Sequence, residues 1–187
     1  MCFSKKLVPD EIVRSVFDIS PHWLRRRELA SVILDLDNTL VPYGQSRVGH
    51  EVKEHIQMLL SSGVKAIILS NAGPRRTRAV AAELGMMFVA GARKPGLRGY
   101  RTALAALQEP PSKTAAVGDQ VFRDVLGARS AGCFAVLVPP MSPRDFPGTA
   151  LLRYFERLVL GRLVRSGEIN PSALAPWFEP PAMRDRT

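Results

Sequence analysis

Cysteine is scarce in this sequence. Its 187 residues hold only Cys2 and Cys133, too few for a disulfide framework or a thiolate zinc site. The two read as a terminal thiol and a small core residue. Aromatics make up 7% of the chain. They form none of the clusters on which RNA-binding sheets stack bases, and there is no zinc knuckle, so nucleic acid is not an expected partner. No apolar run approaches the ~18 residues that a membrane-spanning helix needs. The opening stretch "MCFSKKLVPDEIVRSVFDI" has no apolar core followed by small residues, so it does not read as a secretory signal. Cytoplasmic residence is the expectation. Only three histidines occur, His22, His50 and His55, and their scatter over helical and loop stretches suits structural or solvated roles.

Acids are also outnumbered. There are 17 Asp and Glu against 26 Lys and Arg, a net charge of +9. The excess is local, because residues 75–101 hold Arg75, Arg76, Arg78, Arg93, Lys94, Arg98 and Arg101 against Glu83 alone. Such a stretch is either a solvated basic face or an attractor of anionic ligands and membrane surfaces, and charge by itself does not choose.

The chain has the length and the 46% apolar content for one well-buried domain. A short apolar run followed by helical spacing recurs along it. "SVILDLD" precedes a helix near "VGHEVKEHIQMLLSSG", and "VKAIILSN" precedes "PRRTRAVAAELG". "MMFVAGA" precedes "LRGYRTALAALQ", "KTAAVGDQ" precedes "VFRDVLGARSAG", and "CFAVLVPP" closes the series. The runs are continuous rather than alternating, which predicts a mainly parallel sheet covered on both faces, a three-layer α/β/α fold.

In open parallel sheets, ligands sit beyond the carboxyl ends of the strands. The residues there are Asp35 and Asp37, then Ser70 and Asn71, then Arg93 and Lys94, then Asp119 and Gln120, with Asp124 one turn on. Each type has a use in phosphoryl transfer. Carboxylates hold Mg²⁺, a hard ion that takes oxygen ligands. One carboxylate can attack phosphorus, and another two residues on can shuttle the leaving-group proton. Lysine, hydroxyl and amide donors can neutralise phosphoryl oxygens. A strand-exit turn would account for Asp35 and Asp37 in isolation, but not for what the other three strand ends supply.

"DLDNT", "LSN", "ARKP" and "GDQVFRD", in that order, resemble the four motifs of the haloacid dehalogenase (HAD) superfamily of phosphohydrolases. "PDEIVRSVFDISPHWL", "DLDNTLVPY", "ARKP" and "GDQVFRDVLGARSAG" more specifically resemble the YqeG family of HAD subfamily IIIA, related to phosphatidylglycerophosphate phosphatases. Tyr43 departs from the tryptophan that the family favours there, which touches substrate contacts rather than chemistry. The resemblance implies a HAD-like (Rossmann-like) domain over residues 1–165, with an N-terminal helical segment at 8–28 and a C-terminal helix at about 149–165. Residues 166–187, rich in proline, are expected to form a weakly ordered tail pinned by Trp177 and Phe178. By the same resemblance Asp35 is nucleophile and metal ligand, and Asp37 is general acid/base with a backbone carbonyl on the metal. Ser70 binds phosphate, Lys94 stabilises the transferring group, Asp119 ligates metal, and Asp124 supports the metal or anchors Lys94. Asn71, Arg75 and Arg76 are candidate substrate contacts, with Arg78 beside them.

Too few residues separate these motifs to hold a cap domain, so the mouth should be open. That suits a phosphate presented at a membrane surface or on a macromolecule, or a site covered by a neighbouring subunit. In "LLRYFERLV", Leu151, Tyr154, Phe155, Leu158 and Val159 share one helical face, with Arg153, Glu156 and Arg157 opposite, and that apolar face is expected to pack on the domain. The expectation is a Mg²⁺-dependent phosphomonoesterase acting through an aspartyl phosphate, with phosphatidylglycerophosphate as substrate and peripheral contact with the inner membrane face. A HAD phosphatase for a soluble sugar phosphate or a nucleic-acid end is a second reading. A basic RNA- or ribosome-associated protein with a vestigial site is a third, against which the intact acids and Lys94 argue.

Overall fold

The structure, a computed structural model, describes residues 5–142 and 149–175. Six parallel strands form one sheet: β1 (Glu11–Ile12), β2 (Ser31–Leu34), β3 (Lys65–Leu69), β4 (Met87–Val89), β5 (Thr114–Gly118) and β6 (Phe134–Leu137). Their order is β1-β6-β5-β2-β3-β4. From β2 the chain builds outward through β3 to β4, then returns to place β5 on the other side of β2. The carboxyl ends of β2 and β5 therefore flank the point where the winding reverses, the usual location of a ligand crevice.

The near-continuous apolar strands are explained by cover on both faces. Val32, Leu34, Ala66, Ile68, Ala115 and Val117 face a core with helices α1 (Pro21–Arg26), α2 (His50–Ser61) and α3 (Pro74–Leu84). Ile33, Ile67, Leu69, Ala116, Ala135 and Leu137 face a second core with α4 (Leu97–Leu107), α5 (Leu126–Ala131) and α6 (Thr149–Arg165). Cys133 is buried in the second core, while Cys2 lies outside the described residues. Among the described residues there is no cap domain, and no helix is long and apolar enough to cross a membrane.

Four local expectations differ. The N-terminal segment is mostly not helical: Glu11 and Ile12 add an edge strand to β6, Ser15 caps a 3-10 turn at Val16–Asp18, and only Pro21–Arg26, capped by Ser20, is α-helix. Asp10 fixes that edge, since its backbone N–H donates to Ala135 O and its carboxylate accepts from Ala135 N, each at 2.8 Å. Strand β2 stops at Leu34, because the chain folds back so that Leu40 and Val41 both donate to Leu36 O. Of the apolar stripe expected to pack inward on α6, Val159 packs on the second core, whereas Tyr154, Phe155 and Leu158 are exposed. Among the described side chains of α6, Glu156, Leu160 and Leu163 are buried. Finally, the start of the expected tail packs onto the second core through Ile169 and Leu174, while Trp177 and Phe178 lie outside the described residues.

Leucine removed from such a site leaves a cavity as well as losing its transfer energy, about 2–5 kcal/mol together. Leu174→Ala is therefore expected to lower unfolding stability by roughly the lower part of that range, measured by urea denaturation. A loss below about 0.5 kcal/mol would mean the segment does not dock.

Candidate active site

The loops at the carboxyl edge bring Asp35, Asp37, Ser70, Asn71, Lys94 and Asp124 into one cleft, with Asp119 fully buried and outside its lining. The cleft is lined by Asp35, Asp37, Tyr43, Ser70, Asn71, Lys94, Gln120, Arg123 and Asp124. Asp35 follows β2 directly, its N–H still donating to Val117 O at 2.9 Å, so the sheet itself places this carboxylate. Ser70 follows β3, its N–H donating to Val89 O, and its hydroxyl accepts from Ala72 N at 3.0 Å.

Lys94 is the centre of the arrangement. Its Nζ donates to Asp35 Oδ1 at 2.5 Å and to Asp124 Oδ1 at 2.6 Å, with 3% of its side chain exposed. Asn71 clamps the lysine's backbone, accepting from Lys94 N at 2.7 Å and donating to Lys94 O at 3.3 Å. Burial works against the ammonium charge, but Asp124 and Asp35 outweigh it and hold the Lys94 pKa above the ordinary lysine value. For Asp35, burial wins: it pushes the carboxyl up to about 7 despite Lys94, with Asp124 and Asp37 adding repulsion. Burial likewise raises Asp119 well above the usual carboxylate range, opposed by Arg153.

Asp124 sits on a π-helical turn, Val121–Val125, where an ordinary helix start was expected. Its Oδ2 accepts from Gln120 N at 3.1 Å, and Tyr100 OH donates to its carbonyl at 3.1 Å. The carboxylate lies against Gly118, where an added Cβ would fall 2.6 Å from Asp124 Cβ and Oδ2. Glycine is required there by contact.

Asp35, Asp119 and Asp124 offer oxygen atoms within 4.8 Å of one another, all buried. Asp119 Oδ1 is buried and has no hydrogen-bond partner among the described residues. With every group ionised, these three and the buried Glu156 face Lys94 and Arg153, an excess of two negative charges among the described residues. An all-oxygen donor set, an orphaned carboxylate oxygen and that excess together fit a hard divalent cation.

The family model for haloacid dehalogenase-like hydrolases matches residues 43–132. The chain is 33% identical over 166 residues to "Probable phosphatase YqeG" of Bacillus subtilis (strain 168), covering 89% of this chain and 96% of that protein. The chain belongs to the YqeG family of haloacid dehalogenase-like phosphatases. Two solved structures share its fold. One is an uncharacterized protein from Listeria monocytogenes serotype 4b, at TM-score 0.50 and 19% identity over 71% of this chain and 99% of that one. The other is the cobalt-bound deoxy-D-mannose-octulosonate 8-phosphate phosphatase of Haemophilus influenzae, at 0.50 and 17% over 78% and 95%.

In this YqeG-family chain the arginines are not grouped as expected. Arg76 does not face an open rim. It pairs with both oxygens of Asp37, at 2.9 Å to Oδ2, and donates to Gln45 O. Arg75 and Arg78 are exposed and outside the cleft lining. Arg123 does line the cleft and makes no ion pair among the described residues, and nothing in "GDQVFRD" singles it out. Arg153 and Glu156 were also missed as site residues, being assigned to the solvent side of α6. Arg153 pairs with Asp119 and donates to Asp119 O at 2.7 Å.

Gly118→Ala is expected to push Asp124 away from Lys94 and Gln120 N. Overpacking of this kind costs roughly 1–3 kcal/mol, and disturbing a support of the candidate metal ligands about 10–100-fold in activity. Thermal unfolding and phosphate release measure the two. Wild-type activity in Gly118→Ala would show that the Asp124 position is not critical.

Proposed function

We propose that this phosphatase is a Mg²⁺-dependent phosphomonoesterase working through an aspartyl phosphate on Asp35, and that its substrate is an anionic glycerophospholipid headgroup of the phosphatidylglycerophosphate kind. The observation that carries the chemistry is the buried ammonium of Lys94 shared between Asp35 and Asp124, beside an unpartnered oxygen of Asp119. Asp35, Asp119 and Asp124, with the Asp37 carbonyl, would hold the metal. When bound, it would supply positive charge to the phosphoryl oxygens.

The protein's own residues do the rest. An Asp35 oxygen attacks phosphorus, the P–O ester bond breaks, and Asp37 gives its proton to the departing alkoxide. Asp37 then takes a proton from water, whose oxygen attacks the phosphorus and frees Asp35 and inorganic phosphate. Because Arg76 holds both Asp37 oxygens, this step requires Arg76 to release one. Lys94 and the Ser70 hydroxyl hold the transferring group in line.

The lipid assignment is supported by the absence of a cap among the described residues and by the outer face of α6. There Tyr154, Phe155 and Leu158 are exposed beside Arg157, Arg162 and Arg165, a combination suited to an anionic interface. Arg123 and Tyr43 at the cleft mouth suit further charge and apolar contact on the substrate.

Asp35→Asn is expected to abolish turnover, and Asp37→Asn to lower it about 10²–10⁴-fold. Chelation should stop phosphate release and added Mg²⁺ restore it. Metal-dependent activity in Asp35→Asn would overturn the covalent route.

For the substrate, phosphate release is compared between phosphatidylglycerophosphate in anionic vesicles, sugar phosphates, nucleotides and p-nitrophenyl phosphate. The vesicle substrate should be preferred in kcat/KM. Replacing Tyr154, Phe155 and Leu158 by serine should raise KM on vesicles about tenfold or more, each buried apolar side chain being worth roughly 1.5–3 kcal/mol. Neutralising Arg75 and Arg78 should raise it in a salt-sensitive way. Neither change should alter p-nitrophenyl phosphate hydrolysis. Equal effects on both substrates, or a preference for a sugar phosphate, would favour the soluble reading.

A further inference from the structure

Asp119 is fully buried, yet its charge is met asymmetrically. Arg153 reaches it from the first turns of α6, one nitrogen of the guanidinium on Oδ2 and the other on the Asp119 backbone carbonyl at 2.7 Å. The fork therefore spans one carboxylate oxygen and the main chain, not the two carboxylate oxygens. Oδ1 remains buried with no partner among the described residues. A point-charge ammonium would not impose this orientation, whereas the planar guanidinium does.

The same arginine is held by its neighbour. Its Nη1 donates to Glu156 Oε2 at 3.2 Å, and Glu156, 1% exposed, accepts from Phe122 N at 3.2 Å through its other oxygen. Phe122 lies in the π-helical turn that carries Asp124. Two positions three residues apart on α6 thus brace Asp119 directly and the Asp124 turn indirectly. Both lie beyond residue 132, where the family-model match ends.

We infer that Arg153 and Glu156 are positioning residues of the phosphatase site: Arg153 sets the Asp119 carboxylate so that one oxygen is free for the metal, and Glu156 locks Arg153 to the Asp124 turn. This rests on Asp35, Asp119 and Asp124 being the metal ligands. The opposite role is physically definable. If the guanidinium stood in for the cation, it would compete with it, and removing it would tighten metal binding.

Calorimetric titration of Mg²⁺ into the full chain, without substrate, separates the two by sign. Arg153→Gln should weaken Mg²⁺ binding by roughly 10–100-fold, the usual effect of losing a support of a metal ligand. Arg153→Lys should recover only part, since it restores charge but not the fork. Glu156→Gln keeps size and removes only charge; it should weaken binding in the same direction, and it carries the test if Arg153→Gln does not fold. With substrate, the loss of activity should be larger at limiting than at saturating Mg²⁺. Wild-type or tighter Mg²⁺ binding in Arg153→Gln, or in Glu156→Gln where that variant carries the test, would overturn the inference. Asp119→Asn serves as the control. If it binds Mg²⁺ as the wild type does, the ligand assignment itself is wrong and the inference falls with it. If it fails to bind while Arg153→Gln and Glu156→Gln match the wild type, only the positioning role falls.

Discussion

The site depends on one buried ammonium. Without Lys94, Asp35 and Asp124 would be two carboxylates taken out of water and set against each other, which proteins tolerate only with a cation or a shared proton between them. Much of the surrounding structure holds that ammonium still. Asn71 fixes the lysine's backbone on both sides, Gln120 N fixes the far oxygen of Asp124, and Tyr100 fixes the Asp124 main chain. Gly118 contributes by having no side chain. Removing one member of such a buried pair typically costs 3–5 kcal/mol, so the geometry of the candidate site and local stability rest on the same interaction here.

The sheet topology determines who can join this cluster. Because β2 and β5 are neighbours at the reversal point, Asp35 and Asp119 arrive at adjacent strand ends with no contribution from loop conformation. Asp124 and Lys94 come from further out and need the π-helical turn and the Asn71 clamp to reach the centre. The raised pKa of Asp35 and of Asp119 records first the cost of burying these carboxylates, with repulsion between the acids adding to it. A divalent cation placed among them would reverse that shift, because its charge is the largest local one available.

The parallel sheet and the residues at its carboxyl edge were legible in the sequence because both leave marks of spacing. Buried parallel strands must be continuously apolar, and acids directly after such runs have few other reasons to be there. What was not legible depends on contacts between distant segments. Arg76 reads as a rim arginine, but only the fold brings Asp37, 39 residues away in sequence, within its reach. Arg123 has nothing in its local pattern to distinguish it from a solvated helix residue. The edge strand at Glu11–Ile12 is too short to show a period at all.

Helix α6 shows why periodicity can identify two faces and still not say which is inside. Apolar stripes point inward when the core they meet is apolar. Near its start α6 instead meets the buried carboxylate of Asp119 and the N–H of Phe122, and those groups cost more to leave unpaired than a few exposed aromatics. Arg153 and Glu156 therefore turn inward, and Tyr154, Phe155 and Leu158 are left outside. Only further along, where the facing surface is the apolar second core, do Leu160 and Leu163 take the inner positions. The helix is oriented by buried charge at one end and by the apolar core at the other, so the exposed Tyr154, Phe155 and Leu158 follow from the pairing of Arg153 with Asp119 and of Glu156 with Phe122.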